Sequence, residues 1–182
     1  MVTPADAKLC TRTELLARLA PLRLAGAQVI CTNGIFDLMH IGHLRYLAAA
    51  RAMGDVLVVG VNADASTRRL KGPARPIVPQ AERAEMLAGL GCVDFVTIFD
   101  EDTAEELVRA IQPEVYVKGG DYTMESEDGT ASAKLTVKPL PEAAVVRSYG
   151  GRVALIPYVP GHSTTELIAR IVEGSRLPGT DA

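Results

Sequence analysis

Residues 28–54 read QVICTNGIFDLMHIGHLRYLAAARAMG. A short Val- and Ile-containing run ends at Cys31, a polar glycine-bearing turn, TNGIFDLMHIGH, fills 32–43, and a segment of helical period covers 41–53 before Gly54 stops it. Strand, turn and helix in that order open a parallel sheet covered by helices. The rest of the chain repeats the alternation. Further strands are predicted over 55–61, 95–99, 115–117 and 152–157, and further helices over 80–90, 103–111, 141–149 and 164–172. Pro113 closely follows one of these helices, and Ser163 with Glu166 has capping-box spacing before another. The expected class is α/β, an open Rossmann-like parallel sheet of about five strands with helices on both faces. An additional helix over 13–19 is expected as a packing accessory, residues 122–140 as a long loop, and the tail from Gly174 as frayed. A chain of 182 residues with 48% hydrophobic content fits one domain with a real core, placed at about 27–173.

The net charge of -3, without a basic run, gives no electrostatic footprint for nucleic acid or an anionic membrane. The longest apolar stretch, 56–61, is too short to span a bilayer, and no signal-peptide pattern opens the chain, so a cytoplasmic protein with a small-molecule partner is expected. Cys10, Cys31 and Cys92 are odd in number and widely spaced, which fits reduced thiols, with Cys31 a small buried hydrophobe.

Ligands of open α/β sheets bind outside the carboxyl ends of the strands, and the turn after the first strand is the one richest in chemistry. Gly34 permits close ligand approach, Gly42 leaves room beside the helix, and a helix start offers free N–H donors to a phosphate chain. His40 and His43, three apart, are expected on one helical face, where two imidazoles could donate to phosphoryl oxygens as charge builds. A capping histidine beside a packed one, chance occurrence, and a two-histidine metal site are the alternatives; the last lacks a third ligand at zinc-enzyme spacing.

The chain resembles the nucleotidyltransferases whose signature is His-x-Gly-His after the first strand, and most of all those acting on heptose 1-phosphate. Four ordered blocks carry the likeness: TNGIFDLMHIGHLRYLAAARAMGD, VNADASTRRLKGPARPIVPQAERAEML, VKGGDY and GHSTTELI. The resemblance implies that His40 and His43 contact the triphosphate and stabilise the transition state, with Asn33, Gly34, Ile35, Phe36 and Gly42 around the nucleotide. Asp37 would orient the loop or help hold the metal, or else form a local Asx-type cap. Lys71 and Arg83 would neutralise the triphosphate and leaving pyrophosphate; Arg68, Arg69 and Arg75 could substitute or simply form a solvated face. The prolines and glycine after Lys71 mark a loop able to close over substrate. Asn62 and Asp64 would bind acceptor hydroxyls, Asp64 being equally suited to cap a following helix. Lys118, Gly119, Gly120 and Asp121 would line the nucleotide pocket, or form a plain turn, and Ser163, Thr164 and Thr165 would bind phosphate at a helix start, or only cap it.

The activity so implied is transfer of AMP from ATP, accompanied by Mg²⁺, to D-glycero-β-D-manno-heptose 1-phosphate, giving ADP-heptose and pyrophosphate for the core of lipopolysaccharide. Related cytidylyltransferases carry an arginine shortly before Ser-Thr-Thr, whereas this chain has Tyr158-Val159-Pro160-Gly161-His162. Other acceptors, such as glycerol phosphate, an amino-alcohol phosphate or pantetheine phosphate, and a non-catalytic nucleotide-binding module, are the competing readings. Many heptose enzymes carry a sugar-kinase domain ahead of this one; none is found here, so the acceptor is expected from separate enzymes. Many enzymes of this size form symmetric homodimers.

Overall fold

A computed structural model describes residues 4–119, 140–157 and 163–175. Five strands, β1 (Val29–Gly34), β2 (Val56–Asn62), β3 (Phe95–Phe99), β4 (Val115–Gly119) and β5 (Arg152–Ile156), form one sheet in the order β3-β2-β1-β4-β5. Every pairing is parallel. Seven described α-helices accompany it: α1 (Arg12–Leu24), α2 (Ile41–Arg51), α3 (Asp64–Lys71), α4 (Gln80–Ala88), α5 (Glu105–Ile111), α6 (Glu142–Ser148) and α7 (Thr164–Gly174). Strand order reverses between β1 and β4, so the carboxyl ends of those strands border the crevice in which such sheets bind ligands.

Alternation along the strands sends side chains to two cores. Val29 and Cys31 of β1 and Tyr116 of β4 join Leu15 and Leu19 of α1, Leu107, Val108 and Ile111 of α5, and Val145 and Val146 of α6. Ile30 of β1 and Val115 and Val117 of β4 point the other way, into Leu47 and Ala50 of α2 and Ala84, Leu87 and Ala88 of α4. The α/β class, the parallel sheet of five strands and the helices on both faces are thus as expected.

Three expectations change. α1 is no accessory: Leu15 and Leu19 are buried in the first core, and the helix continues through Pro21 to Leu24, well past residue 19. The second block contains a helix, α3, which was expected only as a helix that Asp64 could cap and was given no bounds. Its inward face is made of Ser66 and Thr67, so it has no apolar stripe for a periodicity reading to find. α7 runs to Gly174 with Ser175 as its cap, two residues beyond the expected end. The three cysteines are free thiols, and burial raises that of Cys31 to about 12. No described helix is long and apolar enough to cross a membrane. The loop expected over 122–140 lies outside the described residues except for Leu140, as does the tail beyond Ser175.

Candidate active site

β1 ends at Asn33 and Gly34, and the chain turns sharply before α2 begins. A Cβ on Gly34 would lie 3.1 Å from the ring of Phe36, so glycine lets that ring fold back over the strand end. Phe36 and Leu38 both have positive φ, 52° and 48°. Left-handed backbone at a bulky residue costs free energy that the surrounding contacts must offset, and such residues concentrate at functional loops.

His40 and His43 meet, but not as expected. His40 precedes the helix in extended conformation as its N-cap, so the two rings do not share a helical face. They come together through reciprocal capping: the Gly42 N–H donates to Nδ1 of His40 at 3.2 Å, and the His40 N–H donates to Nδ1 of His43 at 3.3 Å. Their ring centroids lie 4.0 Å apart, and Phe36 packs on His43 at 5.5 Å. With Nδ1 accepting, the neutral imidazole carries its proton on Nε2. Burial, reinforced by the neighbouring His40, lowers the His43 pKa to about 4, which keeps this ring neutral at pH 7. The capping and the chemical readings of the pair are therefore compatible: Nδ1 caps, which leaves the proton of the neutral ring on Nε2.

Asp37 is a clasp. Its buried carboxylate accepts from the Ile77 N–H at 2.9 Å and the Val78 N–H at 3.0 Å, and pairs with Arg75 Nε at 2.7 Å. The Thr164 hydroxyl donates to the Asp37 carbonyl at 2.9 Å, which ties the start of α7 to the same loop. An Asx-type cap is not what forms; a carboxylate with both oxygens so occupied orients the loop after α3 and has little left for a metal. Among the described residues no group of three or more His, Cys, Asp or Glu is placed to hold a metal ion. Burial of Asp37 opposes its ionisation, yet the bonds from Ile77, Val78 and Arg75 outweigh it and lower the pKa. Because the folded pKa lies below the unfolded value of about 3.9, the clasp stabilises the protein fully above that pH and is lost as pH falls through the folded pKa. Asp37→Asn should therefore lower stability by roughly 3 kcal/mol at pH 7, and by progressively less as pH falls through the folded pKa, as acid-dependent urea unfolding would measure. A loss that did not change with pH would show the clasp not to depend on the charge.

Arg83 departs furthest from its expected role as a phosphate-neutralising cation. Its side chain is 1% exposed, and Nε donates to the Val78 carbonyl, Nη1 to the Ile35 carbonyl, and Nη2 to both the Asn62 carbonyl and the Asp64 carboxylate. The guanidinium fastens three chain segments, those of Ile35, Asn62 to Asp64, and Val78, and its charge is balanced by Asp64 at 2.7 Å. Asp64 is accordingly an internal partner of Arg83, and the cap of α3 is Ala63. Asn62 is buried at the end of β2. Lys71 is the exposed last residue of α3, followed by Gly72 with φ 93°, and so remains available as a mobile cation. Arg69 is committed to Asp100 and Asp102, and Arg75 to Asp37.

Lys118 and Gly119 end β4 beside Asn33. Lys118 Nζ donates to Asn33 Oδ1 at 2.6 Å and lies 3.2 Å from the Tyr116 hydroxyl, which also donates to Asn33. A Cβ on Gly119 would lie 3.0 Å from the Tyr46 ring, whose hydroxyl bonds Thr32 Oγ1 at 2.5 Å and donates to the Val117 carbonyl at 3.0 Å. Tyr46 and Tyr116 thus hold the two strands bordering the crevice. The sequence reading did not single them out; Tyr46 could have been found as the residue one turn after His43 on α2. Gly120 and Asp121 lie outside the described residues. Ser163 caps α7 in a full capping box with Glu166, and Thr165 is exposed on the first turn.

The model of the cytidylyltransferase-like family matches residues 31–170. A bifunctional protein HldE of Geotalea uraniireducens is 50% identical over 170 residues, 93% of this chain and 32% of that protein. That of Trichlorobacter lovleyi is 48% identical over 168 residues, 92% of this chain and again 32% of the relative. The chain thus spans about a third of the length of these relatives. Among solved structures, a lipopolysaccharide core biosynthesis protein from Thermoplasma volcanium superposes with a TM-score of 0.53 at 24% identity, over 73% of this chain and 97% of that one. A pantoate-β-alanine ligase from Francisella tularensis superposes with the same score at 10% identity, over 96% and 81%. Both show a shared fold.

Proposed function

The chain belongs to the cytidylyltransferase-like family, and on that premise we propose that it transfers AMP from ATP to D-glycero-β-D-manno-heptose 1-phosphate, releasing pyrophosphate and giving ADP-heptose for the lipopolysaccharide core. The observation that carries nucleotidyl transfer is the meeting of the His40 and His43 rings at the start of α2, each accepting a backbone N–H at Nδ1, beside the β1–β4 reversal. The choice of heptose rests on the likeness to the heptose enzymes in the four sequence blocks.

An acceptor phosphate oxygen attacks the α-phosphorus in line; the new P–O bond forms as the bond to the bridging oxygen of the leaving pyrophosphate breaks. The attacking oxygen is already anionic, so no strong base is required, and catalysis rests on positioning and charge stabilisation. On this reading the Nε2–H groups of the two histidines bind the α- and β-phosphoryl oxygens, and Lys71 adds a mobile charge on the leaving group. Arg83 and Asp37 act through the loops they fasten. Mg²⁺ belongs to the co-substrate, since the triphosphate oxygens are its natural ligands. The α7 start, with Thr164 tied to the Asp37 carbonyl, supports a nucleotide-side role for Ser163, Thr164 and Thr165. We place the enzyme in the cytoplasm, where ATP is made.

Pyrophosphate release measured with ATP and CTP against heptose 1-phosphate, glycerol 3-phosphate, phosphoethanolamine and pantetheine phosphate tests the substrate pair. The expected result is turnover with ATP and heptose 1-phosphate at least tenfold above any other pair. Preferential turnover of another pair would retain the reaction class and overturn the acceptor.

A further inference from the structure

We infer that Tyr46 is a positioning residue for the histidine pair: its hydroxyl and ring wedge the fork at which β1 and β4 part, and so fix where the first turn of α2 stands over the crevice. The inference rests on the adenylyl-transfer reading and adds to it a residue that acts through His40 and His43.

The fork comes from the register. β1 and β4 face one another at Ile30 with Val115, Cys31 with Tyr116 and Thr32 with Val117, and their pairing ends there. Neither strand ends with it. β1 continues beside β2 until Gly34 faces Val61, and β4 continues beside β5 until Gly119 faces Ile156. The two central strands therefore diverge over their last two residues, each held by its outer neighbour. That divergence opens the crevice at the reversal of strand order.

Tyr46 sits at the point of divergence. Its hydroxyl donates to the Val117 carbonyl at 3.0 Å and, with its proton so used, accepts from Thr32 Oγ1 at 2.5 Å. Thr32 and Val117 are the last facing pair, so one hydroxyl links both strands where they separate. The ring continues into the open part of the fork: a Cβ on Gly119 would lie 3.0 Å from Tyr46 Cε2 and 3.2 Å from Cδ2. Glycine at the end of β4 gives the ring its seat. Thr32 is fully buried and Tyr46 packs against the core under α2, where shielding from water strengthens a hydrogen bond.

The same helix carries the histidines one turn earlier. His43 precedes Tyr46 by three residues, which puts both on one side of α2, and His40 caps the helix. The two Nδ1 bonds orient the rings relative to α2. Leu47 and Ala50 hold α2 to the sheet by apolar packing, which is without direction. The Tyr46 hydroxyl adds direction, because a hydrogen bond tolerates little change in distance or angle. It sets the helix start, and with it the imidazoles, against the two strands that border the bound phosphates.

Tyr46→Phe keeps the ring in its seat and removes the hydroxyl; Thr32→Val removes the other side-chain partner. In Tyr46→Phe kcat should fall by roughly tenfold or more, the scale expected when reacting groups move by a fraction of an ångström. KM for ATP should stay within about threefold of the parent, since the hydroxyl touches no substrate, and the melting temperature should drop by only a few degrees. Thr32→Val should also lower kcat, and the double variant should be no slower than the slower single one, because both changes break the same link. A lowered melting temperature with kcat unchanged, or a raised KM for ATP with kcat unchanged, would overturn the inference, as would losses that simply multiply in the double variant. Histidine-selective ¹⁵N labelling at pH 7 reads the ring without turnover. The His43 resonances, assigned by their loss in His43→Ala, should shift or broaden in Tyr46→Phe, and resonances identical to the parent's would contradict the positioning role. A parent enzyme inactive on heptose 1-phosphate whose His43 signals still moved in Tyr46→Phe would sink the heptose reaction and leave the positioning role standing.

Discussion

His43→Ala is expected to lower kcat by roughly 100- to 1000-fold, the usual cost of removing one preorganised donor to developing phosphoryl charge, with KM for ATP changed only a few-fold. The argument starts from the backbone. The His40 N–H holds Nδ1 of His43, and Phe36 packs against the ring, so the imidazole is fixed before substrate arrives. Held neutral by a pKa near 4, it contributes a hydrogen-bond donor at Nε2. Such a donor gains most as charge accumulates in the transition state, which is why rate should suffer more than ground-state binding. Alanine also removes a helix-capping contact, so melting temperature must be followed alongside. His43→Gln can place an amide N–H near the Nε2 position, and should recover part of the rate. Equal kcat in His43→Ala and the parent would remove this residue from the mechanism.

Arg83→Met should cost about 3–5 kcal/mol of stability, the range observed when one member of a buried ion pair is removed. The number follows from what is left behind: the carbonyls of Val78, Ile35 and Asn62 lose a donor together, and the Asp64 carboxylate loses its cation. For a domain of this size the melting temperature should fall by about 10 °C. Arg83→Lys can restore one or two of these bonds but not the planar fork, and should recover less than half of the loss. Thermal unfolding with and without ATP checks the assignment: near-parent stability with a sharply raised KM for ATP would return Arg83 to the phosphates.

The fold was legible because its strands are short Val- and Ile-rich runs and its helices, apart from α3, carry apolar faces. α3 was given no bounds because Ser66 and Thr67 make its buried side; Ser66 Oγ donates to the Ala63 carbonyl, while Thr67 Oγ1 has no hydrogen-bond partner among the described residues. Pro21 made α1 look shorter than it is, since proline usually ends a helix. At the site, the position of the histidine turn was readable from glycines, histidines and a helix start in sequence order. The functions of Asp37 and Arg83 were not, because a cation or carboxylate near phosphate-binding residues looks the same in sequence whether it faces the ligand or the protein. Only the identity of its partners decides, and for Asp37 those lie 38 to 41 residues away. Tyr46 and Tyr116 escaped for the same reason: their hydroxyls matter through strand pairing, which periodicity does not reveal.

Transfer of the adenylyl group to a sugar-phosphate acceptor is tested most directly by following label from ATP. With ATP labelled at the α-phosphorus, or separately at the γ-phosphorus, and heptose 1-phosphate as acceptor, α-label should appear in the sugar nucleotide and γ-label in pyrophosphate, in equal amounts and only when acceptor is present. Recovery of γ-label in inorganic phosphate or in a phosphorylated acceptor, with the α-label remaining in ADP, would contradict it.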